Sequence, residues 1–244
     1  MEHLYAAADE AELKRLRAMS EPLLCTLEAY LAYLHDALDV RALPQCIVWC
    51  SAETATTRLS RIPVPAYTSE IRTVMCPDIA AWKRIYLHQL DGLPEREAKP
   101  LRTYYEALPL SALRQILGHE FVHQSERFSE DGTGESGIWF EEGMAEYVSR
   151  RYFFSVEEYA AAREANQRLL RAHAAQYGGR SLEDFGAATY ALDYAGIFYD
   201  YWRSFLTVEG LVDAHGGVDA VFAQYWAYLA SDRRKTLAQW FGLV

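Results

Sequence analysis

His119-Glu120-Phe121-Val122-His123 is the stretch that decides the reading of this chain. After residues 124–141 comes Glu142, within Trp139-Phe140-Glu141-Glu142-Gly143-Met144-Ala145-Glu146-Tyr147. On a helix, His119 and His123 are four residues apart, so both imidazoles leave one face a turn apart. Two nitrogens so placed can bind one tetrahedral Zn²⁺. Glu120 sits beside the first ligand, where a carboxylate can reach a metal-bound water without binding the metal. Glu142 is the best-placed carboxylate for a third ligand. Two His and one Glu leave the fourth position open to water, which is the pattern of a catalytic zinc rather than a structural one.

The surrounding residues supply the helix that this chemistry needs. Leu110, Leu113, Ile116, Leu117 and Phe121 follow helical apolar spacing, with Pro109 just ahead and Ser111 as the expected cap. The spacing predicts a motif helix over about 104–127. Glu146 lies four residues after Glu142 on the same helical face. There it can accept a hydrogen bond from a ligand His N–H and fix that ring's tautomer.

Over about 110–150, and more weakly over 190–230, the chain resembles the gluzincin metallopeptidases, the group of thermolysin and aminopeptidase N. In the aminopeptidase N branch the third zinc ligand follows the second His at this same gap, within a Trp-x-x-Glu-Gly-x-Ala segment. Here that segment is Trp139-Phe140-Glu141-Glu142-Gly143-Met144-Ala145. The resemblance implies a thermolysin-like core, one Zn²⁺ on His119, His123 and Glu142, and Glu120 as general base in peptide-bond hydrolysis. Glu141 is the adjacent alternative ligand. The gap and Gly143 favour Glu142, and the two carboxylates point about 100° apart on a helix.

Hydrolysis also needs a donor for the developing oxyanion. Aminopeptidase N-like enzymes use a Tyr about 60 residues past the third ligand, opening a Tyr-x-x-small segment. Tyr201-Trp202-Arg203-Ser204-Phe205 occupies that place, so the resemblance implies Tyr201. Tyr194 and Tyr199 are its rivals; if none of the three is the donor it lies elsewhere, with His173 and His215 as candidates. The Gly-x-Met-Glu-Asn strand that holds a substrate's free amine in that branch is absent between residues 60 and 110. Endo- and exopeptidase action therefore both stay open. Two other functions also fit: a peptidase-like zinc protein that binds a peptide or protein without cutting it, and a zinc hydrolase of a non-peptide amide or epoxide. An intact Glu120 favours an enzyme, because a pure binding module has no use for a carboxylate there.

Composition narrows the partners. The net charge is −10, from 34 acidic and 24 basic residues, which argues against nucleic acid. Lys14-Arg15-Leu16-Arg17 and Arg233-Arg234-Lys235 read as solvated helix faces. Met1 to Tyr5 have no basic-then-apolar leader pattern, and no apolar run approaches the ~18 residues a membrane span requires. The expected protein is soluble and cytoplasmic, with a peptide or protein as substrate. Cys46 and Cys50 fall on one face of an apparent strand, about 13 Å apart by strand rise, too far to share a metal or a disulfide. All four cysteines, Cys25, Cys46, Cys50 and Cys76, read as reduced small hydrophobes.

Along the chain, residues 9–38 read as two helices broken at Ser20-Glu21-Pro22. Residues 46–50, 58–64 and 70–76 read as strands, with Pro63 and Pro65 making the second an edge strand or no strand. Residues 78–90 read as a helix, 94–100 as a charged loop, and 129–137 as a solvated loop bordering the site. Further helices are expected at about 139–152, 155–177, 190–213, 217–230 and 234–242. The expected fold class is α+β in a single domain. A small N-terminal mixed sheet, in a lobe of about residues 1–103, packs on a mostly helical C-terminal lobe of about 104–244, with the zinc cleft between them.

Overall fold

The computed structural model describes residues 1–129 and 137–244. The fold is mixed α and β, mostly helical, with one four-stranded sheet. Most of the 129–137 loop lies outside the described residues. The chain divides into two compact units. The first holds Met1–Glu126 and Val148–Tyr159, and the second holds Arg127–Tyr147 and Ala160–Val244.

The sheet belongs to the first unit. Its strands are β1 (Glu2–Ala6), β2 (Cys46–Cys50), β3 (Ala66–Thr68) and β4 (Arg72–Met75), in the order β1-β2-β4-β3. β1 and β4 run parallel to β2, and β3 runs antiparallel to β4. Val48, Cys50, Ala55 and Val74 form a buried cluster with Ala6, Cys46, Leu59 and Tyr67 packed on it. β1 escaped the sequence reading because it is an edge strand whose first three residues are exposed, so it shows no buried alternation. Residues 58–64 form no strand, the second of the two alternatives that Pro63 and Pro65 leave open. Thr54–Leu59 make a π-helical turn, and the strand begins only after Pro65, as an edge. Proline cannot donate to a ladder, and an edge is where its missing N–H costs least.

Five helices complete this unit's own chain order: α1 (Glu10–Leu24), α2 (Leu27–Leu38), α3 (Ile79–His88), α4 (Glu95–Glu106) and α5 (Leu110–Val122). The first break falls at Cys25–Thr26 rather than at Ser20-Glu21-Pro22. Pro22 sits in the last turn of α1, where it gives up its N–H bond and crowds the carbonyl one turn back, and the helix ends two residues later. Its carbonyl accepts from the Arg114 guanidinium at 3.0 Å. The expected loop at 94–100 is the start of α4. Its charges face water while Ala98, Leu101 and Tyr105 are buried at helical spacing, and Glu95 and Glu97 suit the positive end of the helix. α5 is shorter than the expected 104–127, because residues 104–106 belong to α4. Ser111 does not cap it. No side chain does, and the Ser111 hydroxyl instead donates to Glu158 at 2.9 Å.

α6 (Ile138–Phe153) contributes residues to both units. The second unit continues with α7 (Val156–Tyr177), which begins in the first, then α8 (Tyr194–His215), α9 (Val218–Leu229) and α10 (Leu237–Trp240). α8 starts later than the expected residue 190 because Ala187–Ala191 form a 3₁₀ turn and Asp193 caps the helix. α10 is shorter than 234–242, since Thr236 caps it and stops the helix from extending backward. This unit's core is aromatic: Phe140 packs on Phe128, Trp139, Phe222, Tyr225 and Phe241.

All four cysteines are free thiols, but Cys25 is exposed rather than a buried hydrophobe. Burial pushes the Cys50 thiol up to about 12 and the Cys76 thiol up to about 11, so both stay protonated and unreactive near neutrality. Among the described residues no helix is long and apolar enough to cross a membrane.

Candidate metal centre

The site begins with α5. In the first unit this helix packs on β3 and β4 and on α1 and α2. Ten of its residues from Ala112 on are buried, His119 and Glu120 among them. Polar contacts fix its depth. Tyr30 of α2 donates its hydroxyl to the Gly118 carbonyl at 3.1 Å, and the Gln115 amide donates to the Ser149 hydroxyl at 2.9 Å. A Cβ on Gly118 would run into the Phe153 and Tyr30 rings, so the residue before His119 is one that lets neighbours approach the helix closely.

His119 lies in the last turn of α5, and His123 is its C-terminal cap residue with helical backbone angles. The i, i+4 relation therefore holds even though the helix ends earlier than expected. The two imidazole Nε2 atoms approach to 3.1 Å. His119 is buried and His123 half-buried. The carbonyl end of a helix carries partial negative charge, which favours a cation there.

Glu142 lies in the second turn of α6, half-buried. The candidate ligand atoms of His119, His123 and Glu142 all lie within 4.8 Å of one another. Zinc fits this set. Two Zn–N bonds of ~2.0–2.1 Å at a tetrahedral angle put their nitrogens about 3.3 Å apart, close to the separation seen. Two imidazoles and one carboxylate are also a known donor set for zinc with an open position. Glu146 follows one turn after Glu142 on α6 and is also half-buried. Glu141 is half-buried beside Glu142 but is not in the converging group.

Gly143 explains how Glu142 is held within its own unit. A Cβ there would stand 2.5 Å from the Ser204 carbonyl oxygen and 2.7 Å from Val208, both on α8. The backbones of α6 and α8 meet at that point, and a carbonyl cannot swing aside as a side chain can. Gly143→Ala should destabilise the protein by about 1–3 kcal/mol, the usual cost of overpacking, despite alanine's better helix propensity. Urea unfolding measures this, and unchanged stability would mean that α8 can shift to accommodate the methyl group.

Tyr201 is two turns into α8 and half-buried, three residues before Ser204. Tyr194, not Tyr201, opens the helix, and it stacks on Phe198. Tyr199 is buried against Tyr177 and Trp202. His173 is buried beside Trp202, and His215 ends α8 against Phe241. One residue the sequence reading passed over is Tyr190, whose hydroxyl meets that of Tyr201 at 2.9 Å. Its only sequence signal is its place in a Tyr-rich stretch.

Comparison with models of known protein families, with curated proteins and with solved structures returns no match.

Proposed function

We propose that the protein is a zinc-dependent peptide-bond hydrolase of the gluzincin type, with a thermolysin-like catalytic core. The observation that carries this is the convergence of His119, His123 and Glu142 within 4.8 Å, with Glu120 next to the first of them in an HExxH stretch. His119, His123 and Glu142 would hold the metal. Zinc, when bound, supplies Lewis-acid chemistry that lowers the pKa of water and polarises the scissile carbonyl. Glu120, whose side chain leaves α5 about 100° from His119, takes a proton from the attacking water on its carboxylate. It then hands that proton to the leaving amine. Tyr201 donates its hydroxyl hydrogen to the oxyanion that develops on the former carbonyl oxygen. Glu146 orients a ligand imidazole by accepting its second N–H. Peptide substrates and a cytoplasmic location belong to the same proposal.

Chelation tests it. Dialysis against a strong chelator should abolish hydrolysis of a mixed peptide pool, and stoichiometric zinc should restore it. Hydrolysis that survives complete metal removal would contradict a zinc mechanism.

A further inference from the structure

Tyr190 and Tyr201 are brought together by a buried ionic knot. Asp200 is fully buried and accepts from Arg180 at 3.0 Å, from Arg203 at 2.9 Å and from the Thr189 hydroxyl at 2.9 Å. Thr189, also fully buried, accepts the Gly186 N–H at 3.2 Å. Arg203 reaches further, donating to the carbonyl oxygens of Arg180 and Ser181. Burial of the Arg203 guanidinium lowers its pKa, and the Asp200 carboxylate opposes that shift. A buried carboxylate with three donors holds its geometry, because losing either arginine weakens its charge compensation and losing the Thr189 hydroxyl leaves a buried acceptor short of a donor. The knot therefore fastens the 3₁₀ turn at residue 189 to α8 at residue 200. Their chain neighbours, 190 and 201, are held with hydroxyls 2.9 Å apart. The Phe185 and Phe198 rings lie 4.9 and 6.1 Å from the Tyr201 ring, leaving an apolar flank on that side.

A phenol has one hydrogen to donate and lone pairs to accept with. If Tyr201 directs its hydrogen at an oxyanion, the contact with Tyr190 must run the other way, from Tyr190 to Tyr201. A hydroxyl that accepts a hydrogen bond becomes a better donor itself. We propose that Tyr190 is a positioning residue for Tyr201, donating its hydroxyl hydrogen to Tyr201 Oη and leaving the Tyr201 hydrogen aimed at the developing oxyanion. This rests on the role given to Tyr201 above. The Asp200 knot is what keeps the pair in register.

The test is a double-mutant cycle on a fluorogenic peptide, with wild type, Tyr190→Phe, Tyr201→Phe and the double variant. Tyr201→Phe should lower kcat by roughly 10²–10³-fold with KM little changed. Tyr190→Phe should lower kcat by about three- to tenfold at unchanged KM, and should cost nothing further in the Tyr201→Phe background. A readout without substrate accompanies it, namely NMR of protein carrying Cζ-labelled tyrosine. The Tyr201 resonance, assigned by its loss in Tyr201→Phe, should move in Tyr190→Phe while the melting temperature holds. Full kcat in Tyr190→Phe beside a large loss in Tyr201→Phe overturns the positioning role and leaves Tyr201 as the donor. Full kcat in Tyr201→Phe, or no turnover by wild type, overturns the parent reading and this one with it. Equal losses in both backgrounds, or an unmoved Tyr201 resonance, mark Tyr190 as merely structural.

Discussion

The His123→Ala protein is expected to purify folded and nearly free of zinc at micromolar metal. His123 supplies one of two nitrogens that meet at 3.1 Å, and its removal leaves one imidazole and one carboxylate. Two ligands hold zinc poorly, because the remaining positions fall to water. The loss should exceed the ~10–100-fold typical of removing a partner that only supports a ligand. Folding should survive, since His123 is half-buried at a helix end and the interior of α5 does not depend on it. Elemental analysis after dialysis gives the result directly. Full zinc occupancy in His123→Ala would remove this residue from the ligand set and leave the i, i+4 pair without meaning.

The site was more legible than the fold around it. HExxH and the distant Glu142 are a chemical pattern, and chemical patterns survive errors in helix boundaries. α5 ends at Val122 rather than near 127, yet His123 keeps helical backbone angles and the pair still converges. The misreadings came where a local signal was overruled by packing. Residues 94–100 look like a charged loop because Glu95, Arg96, Glu97 and Lys99 dominate them, while the apolar stripe that makes a helix appears only when Ala98, Leu101 and Tyr105 are taken together. β1 shows no alternation because an edge strand with exposed residues has no buried face to reveal. Pro22 looks like a helix breaker, yet α1 runs two residues past it before ending at Leu24.

Long-range pairing was the least legible of all. Nothing in a single sequence announces that Gly143 must admit the Ser204 carbonyl, or that Asp200 ties two arginines and a threonine together. Apart from Arg203, three residues on from Asp200, the partners lie eleven or more residues away along the chain. The Tyr190–Tyr201 contact is of the same kind. Distance past Glu142 and the Tyr-x-x-small context are the sequence's grounds for Tyr201; that Tyr199 is buried and that the Tyr201 hydroxyl meets Tyr190 lie outside what those signals carry.

Glu120→Gln carries the central claim. Glutamine matches glutamate in shape, so the substitution leaves α5 and its packing intact and takes away only the group that accepts a proton. Zinc content should stay at one per chain, because Glu120 is not part of the converging group of His119, His123 and Glu142. Turnover should fall by the ~10²–10⁴-fold that a general base contributes. The decisive measurement is digestion of a diverse peptide library by zinc-loaded wild type and zinc-loaded Glu120→Gln, read side by side by mass spectrometry. The account predicts new peptide termini with wild type and almost none with Glu120→Gln at equal zinc. Equal cleavage by the two proteins, or no cleavage by wild type at full zinc occupancy, would contradict it.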